Sequence, residues 1–141
     1  DVVLLDDDDL RARVTEATGK ASIRLALNAV GGESALRLAK TLYSDGVMVT
    51  YGAMSLQPVT VPNGMLIFKN LRFTGFWVNK WYDGASAEER AATFAPLFEM
   101  AKRGLLRTTV EKSYSLGEAA AAVRHAMQEK RGGKVVFDFA T

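Results

Sequence analysis

The stretch "RLALNAVGGESALRLAKTLYSDGVMVTYG", residues 24 to 52, decides the fold. Its first segment, within "IRLALNAV", reads as a buried strand that ends at Gly31-Gly32. Ala35, Leu38, Ala39 and Leu42 then recur on one face at helical spacing, and "GVMVTYG" supplies a second apolar strand. A strand, a helix and a strand in that order predict a parallel sheet with right-handed crossovers.

Working upstream, Val2 to Leu5 is another short apolar, β-branched run, closed by the acidic block Asp6 to Asp9. Those carboxylates are placed to cap a helix and complement the positive end of its dipole. Leu10, Val14 and Ala17 follow at helical spacing, with Gly19 as the stop. Downstream, a loop carries Pro58 and Pro62, a short helical turn covers Met65 to Phe68, and "RFTGFWVNKW" reads as a further strand. Ser86 to Glu89 forms an S-x-x-E capping box. It opens a helix that turns Phe94, Leu97, Phe98 and Ala101 inward and ends at Gly104. Pro96 lies inside that helix and predicts a kink or a restart. A second box, Ser115 to Glu118, opens a helix bearing Leu116, Ala120, Val123 and Met127, with Lys130 and Arg131 in its last turn. Gly132-Gly133 ends it, and "KVVFDF" is a final strand. The fold class is α/β with a mostly parallel sheet.

Composition removes several function classes. Eighteen basic residues against sixteen acidic ones, scattered along 141 residues, leave a formal charge of +2 and no nucleic-acid footprint. With no cysteine and a single histidine, the chain has no thiolate or multi-histidine metal set, and no metal ligand is assigned. His125 reads as an exposed helical side chain. No apolar run reaches the length of a membrane span, and "DVVLLDDDDL" resembles neither a signal nor a transit peptide.

In open α/β sheets, ligands lie beyond the carboxyl ends of the strands. Three such ends carry unusual residues here: Asn28 to Gly32, Tyr51 to Met54, and Phe76 to Val78. A solvent loop would use Asn, Asp or Ser where Met54 stands. Either that thioether packs under a neighbouring element or something flat and partly apolar lies across the turn. The G-x-G-x-x-G of a dinucleotide fold is absent between first strand and helix, as is the ribose selector about 20 residues beyond it. The residues by themselves therefore reach a parallel α/β domain with a crevice.

"NAVGG", "VTYGAM", "LIFK" and "GFW", in that order and spacing, resemble the C-terminal part of the mitochondrial trans-2-enoyl-thioester reductases. These belong to the zinc-free branch of the medium-chain dehydrogenase/reductase superfamily. The similarity covers nearly the whole chain, most clearly from about Arg24 to Phe139. It implies the later strands of a Rossmann domain over residues 1–104 and a segment returning to a catalytic domain over residues 105–141. The chain would begin at the third Rossmann strand. The catalytic tyrosine and the phosphate turn would then lie upstream, so no catalytic side chain is assigned here.

What the resemblance carries onto this chain is cofactor contact. Tyr51, Gly52, Ala53 and Met54 occupy the positions of a Tyr-Gly-Gly-Met turn that meets the nicotinamide half of NADPH, with Ala53 departing from the second glycine. Phe76, Trp77 and Val78 supply backbone groups to the carboxamide, with the indole bordering the acyl pocket. Lys134 corresponds to a lysine that reaches the cofactor. The implied activity is NADPH-dependent reduction of an enoyl-CoA or enoyl-acyl-carrier-protein in mitochondria. A homodimer through the edge strand Phe73 to Val78 is implied as well. The 141 residues alone are expected to be inactive and to bind NADPH weakly, because the pyrophosphate-binding turn is missing. A quinone or enone reductase of the same superfamily, and a non-catalytic nucleotide- or protein-binding α/β module, are the competing readings.

Overall fold

In the computed structural model the described residues are 4–128 and 131–139. They fall into two compact units, one up to Gly84 and one from Ala85 onward. In the first unit α1 (Leu10–Ala17), β1 (Leu25–Asn28), α2 (Gly32–Thr41), β2 (Val47–Thr50), α3 (Asn63–Ile67), β3 (Arg72–Gly75) and α4 (Val78–Gly84) follow in order. The strands form one sheet, β1-β2-β3, parallel throughout.

The apolar periodicity explains the packing. Ala26, Met48 and the half-buried Phe73 are register partners and point to one face, where Ala35, Ala39 and Leu42 meet them. Small alanines let α2 lie close to the sheet, and Leu42 and Met48 are almost wholly enclosed. Burial of each contributes about 1.5–3 kcal/mol. The alternate residues of β1, Leu25 and Leu27, stay exposed on the other face. At the turn into α2, Gly31 has φ +86°, and a Cβ there would stand 2.8 Å from the Gln57 carbonyl oxygen.

Several expectations change. Of the upstream strand, Val2 and Val3 lie outside the described residues, while Leu4 and Leu5 carry no strand structure. The acidic block does precede α1, but Asp9 at the N-cap makes no side-chain cap bond. Arginines draw the carboxylates away: Asp7 pairs with Arg13 at 2.7 Å and Asp6 with Arg37 at 2.8 Å. The strand expected over "RFTGFWVNKW" stops at Gly75, and Val78 opens a helix instead. β-Branched and aromatic content favours strand, yet Asn79, Lys80 and Asp83 interrupt any two-residue alternation.

The second unit holds α5 (Ala87–Lys102), β4 (Val110–Tyr114), a 3₁₀ turn at Leu116–Glu118, α6 (Ala119–Ala126) and β5 (Lys134–Phe137). Both capping boxes form with reciprocal Ser–Glu bonds. α5 is one continuous helix through Pro96, so no restart occurs. None of its residues is buried, and Phe94, Leu97 and Phe98 remain exposed, because β4 and β5 pack with each other and with α6. In α6 the enclosed residue is Ala122, whereas Leu116, Val123 and Met127 face outward. Lys130 lies outside the described residues. The parallel β4–β5 pair was not anticipated, since "VEKSY" has one lysine and one glutamate in five residues.

Candidate functional site

Parallel register sets the site. Asn28, Thr50 and Gly75 are partners across β1, β2 and β3, so three strands finish side by side. Beyond that line the backbone stays tied. Tyr51 N–H donates to the Asn28 carbonyl at 2.9 Å, and Phe76 N–H donates to the Thr50 carbonyl at 2.9 Å. The turn Tyr51 to Ser55 is fixed to the end of β1 by Met54 N–H on the Ala29 carbonyl at 3.1 Å and Ser55 N–H on the Val30 carbonyl at 2.9 Å. The Ser55 hydroxyl donates to Val30 as well, at 2.7 Å.

Gly52 is what permits this approach. A Cβ at that position would stand 2.8 Å from the Ala29 oxygen and 3.3 Å from its Cα. Ala53 is not among the positive-φ residues, so its methyl is accommodated without backbone strain.

Asn28 locks the ends together from beneath. It is 2 % exposed. Its Nδ2 donates to Thr50 Oγ1 at 3.1 Å, and its Oδ1 accepts from Val30 N–H at 3.1 Å and Gly31 N–H at 3.0 Å. Both ends of the amide are hydrogen-bonded, joining β1, β2 and the glycine turn, as a buried amide requires. Sequence reading included Asn28 in the strand end without giving it a role. The available signal was a polar residue closing an apolar strand directly before a glycine pair.

The side chains above this frame face outward. Met54 is 80 % and Trp77 67 % exposed, so neither is core filler. Tyr51, Phe76 and Val78 are also exposed, giving an apolar set just beyond two adjacent strand ends. Such a rim, with fixed backbone donors and acceptors between exposed rings and a thioether, suits a planar, partly apolar group carrying an amide. Seven of the eight residues singled out from the sequence thus come from neighbouring strand ends. The eighth, Lys134, opens β5 in the second unit, where its N–H donates to the Thr109 carbonyl at 2.7 Å.

His125 is not the exposed side chain expected. It lies between Tyr114 and Glu111, with Nδ1 3.0 Å from the Tyr114 hydroxyl and Nε2 3.1 Å from Glu111 Oε1. Glu111 also accepts from Gly133 N–H at 3.0 Å. The cluster staples β4 to α6 and to the turn before β5. The His125 hydrogen bond, aided by the glycine amides, holds the Glu111 carboxyl below its ordinary value of 4.5. A depressed carboxyl stabilises the fold above its unfolded pKa, and that contribution fades as pH falls through the folded pKa. Glu111→Gln is therefore expected to lower stability above about pH 4.5, at pH 8 included, and to flatten the acid limb so that the two proteins converge as pH falls. Thermal melts across that range check it; parallel curves for both proteins would refute the staple.

Comparison with known proteins now adds to the geometry. The family model for zinc-binding dehydrogenases matches residues 1–137. The chain belongs to that family. The zinc of the family's description has no fit here: the sequence has no cysteine and one histidine, and no metal-holding group of His, Cys, Asp or Glu occurs among the described residues. The mitochondrial enoyl-[acyl-carrier-protein] reductase of Dictyostelium discoideum is 38% identical over 117 residues, covering 83% of this chain and 33% of that protein. Etr1p, solved as a variant in complex with NADP and crotonyl-CoA, superposes with a TM-score of 0.71 at 28% identity, covering 93% of this chain and 37% of that one. From Candida tropicalis it is known in an Etr1p/Etr2p heterodimer, a mitochondrial 2-enoyl thioester reductase. A proposed NADPH:quinone reductase of Bacillus thuringiensis gives a TM-score of 0.74 at 27% identity, over 89% of this chain and 38% of that one. The chain thus spans about a third of the length of these relatives. Its first unit is the later part of a Rossmann-type sheet.

Proposed function

We propose that this chain is the nicotinamide-side portion of an NADPH-dependent 2-enoyl thioester reductase acting on enoyl-CoA or enoyl-acyl-carrier-protein in mitochondria. The observation that carries it is the rim of the half-buried Gly52 and the exposed Trp77 just beyond adjacent strand ends, in a chain similar to a reductase solved with NADP and crotonyl-CoA. Residues 1–104 would be the later portion of the dinucleotide-binding domain, and residues 105–141 the return segment.

Bound NADPH supplies a hydride to the β-carbon of the enoyl thioester, and a proton added at the α-carbon completes the saturated product. Tyr51 and Gly52 offer backbone at the ring's edge, and Met54 lends a polarizable apolar surface. Phe76 to Val78 hold carboxamide-directed backbone groups, and the Trp77 indole excludes water beside the acyl chain. Lys134 would reach the cofactor. A second copy would pair along the free edge of β3, over Phe73 to Val78, of which Phe73 to Gly75 is strand.

Trp77→Ala in the intact protein is expected to weaken NADPH binding about tenfold, near 1.4 kcal/mol. The melting temperature should hardly move, because the indole is mostly exposed. Unchanged affinity would sink the cofactor reading, and a monomeric mass by light scattering would remove the dimer. The likeness to the Bacillus thuringiensis structure supports a second reading, quinone reduction at the same rim. Faster turnover of a quinone than of crotonyl thioester would favour it.

A further inference from the structure

A second hollow lies at the other end of the sheet, formed by the segments that lead into the strands. Lys20 and Ala21 precede β1, Leu42 to Ser44 precede β2, and Lys69 precedes β3; Arg11 and Thr15 of α1 and Lys40 and Thr41 of α2 complete it. Its volume is about 360 Å³, within the range of small-molecule sites. Four of its lining residues are cations: Arg11, Lys20, Lys40 and Lys69. Among the described residues, no carboxylate lines it. We propose that this hollow binds a small polyvalent phosphate anion.

Charge decides the argument. The plainer explanation is that the cations answer the negative ends of α1 and α2, which finish at Ala17 and Thr41. Each helix end amounts to only about −0.5 of a charge, against four full positive charges. Asp8, Asp9 and Glu16 line a neighbouring hollow that shares Arg11, Thr15 and Lys20 with this one, so they offset part of the charge of Arg11 and Lys20 and leave Lys40 and Lys69 as the cations farthest from any of these acids. Asp45, beside Ser44, accepts from Asn70 Nδ2 at 2.9 Å. Among the described residues, Arg11, Lys20, Lys40 and Lys69 have no ion-pair partner.

Lys69 shows the cost of this arrangement. Its Nζ donates to the Leu42 carbonyl at 2.6 Å, so the ammonium is drawn inward rather than solvated. Burial first, and then the charge of Arg11, push its pKa below the ordinary lysine value. An incoming anion offsets both by direct attraction to the ammonium. Three of the four cations are lysines, which act as point charges without a planar fork. That favours a compact ligand with several charges over a lone carboxylate. The rim at Gly52 and Trp77 lies at the opposite ends of these parallel strands, so the two sites are separate.

The test is calorimetric titration of inorganic pyrophosphate into the intact protein at fixed ionic strength, with NADP⁺ present in excess to occupy the rim. One saturable event per chain is expected, weakened about five- to tenfold by Lys20→Gln and by Lys69→Gln, and unchanged by Lys102→Gln, whose side chain pairs with Glu99. Lys69→Gln also removes the bond to Leu42, so the exposed Lys20→Gln decides the outcome where the former fails to fold. A parallel titration with 3′,5′-adenosine bisphosphate separates the two sources of the ligand. Tighter binding than pyrophosphate assigns a nucleotide-borne phosphate, and weaker binding assigns a free one. Absence of saturation, or equal weakening by Lys102→Gln, overturns the proposal.

Discussion

On the proposed function, Gly52→Val is expected to lower the catalytic efficiency of the intact protein on the order of a hundredfold, the scale of an ångström-sized misplacement of a bound reactant. It should also destabilise the fold by about 1–3 kcal/mol. The atoms that a new side chain would strike belong to backbone: the Ala29 oxygen at 2.8 Å and the Ala29 Cα at 3.3 Å. A flexible neighbour could swing aside; these cannot without loosening Met54 and Ser55 from β1. Gly52→Ala meets the same contacts with less bulk and should fall between. Ala53→Gly meets no such clash, since Ala53 is exposed and its φ is not positive, and should change stability by no more than about 1 kcal/mol. Wild-type melting and turnover in Gly52→Val would mean that the turn is not seated as described.

The contrast between these two neighbouring positions shows what the sequence could reveal. Strand, helix and strand over residues 24 to 52 were legible because burial imposes a period: Ala35, Ala39 and Leu42 on one side of α2, Ala26 and Met48 on one face of the sheet. Parallel order then placed the ends of β2 and β3 together without further information. Serine–glutamate capping boxes were equally plain, being local chemistry. Tertiary competition was not legible. Asp6 and Asp7 have the right composition for a helix cap, yet Arg37 and Arg13 offered them stronger partners. His125 looked solvated because Glu111 and Tyr114, which hold it, lie on a strand whose alternation is masked by charge. In the same way, the stripe from Phe94 to Phe98 predicted an inner face, although its own unit closes around α6 instead.

Asn28→Leu should cost about 2–4 kcal/mol, since it removes the partner of the Thr50 hydroxyl and of the amides of Val30 and Gly31, the last of which is buried. On a chain of this size, that is a fall in melting temperature of roughly 10 °C. Leucine shares the branched shape of asparagine but is the larger side chain, so overpacking adds to the loss of the hydrogen bonds at this buried position. Thr50→Val isolates one of them by leaving Nδ2 without its acceptor at 3.1 Å. The combined variant should cost less than the sum of the two by at least about 0.5 kcal/mol, because each change already breaks the same bond. Strict additivity would show that the amide does not join β1 to β2. Cofactor affinity adds a second readout. Val30 anchors the Tyr51–Ser55 turn through Ser55, and Gly31 leads directly into Gly32, whose N–H donates to the Gln57 carbonyl at 3.3 Å. Freeing Val30 and Gly31 in Asn28→Leu should weaken NADPH binding more than Thr50→Val does, although neither side chain lies on the exposed rim.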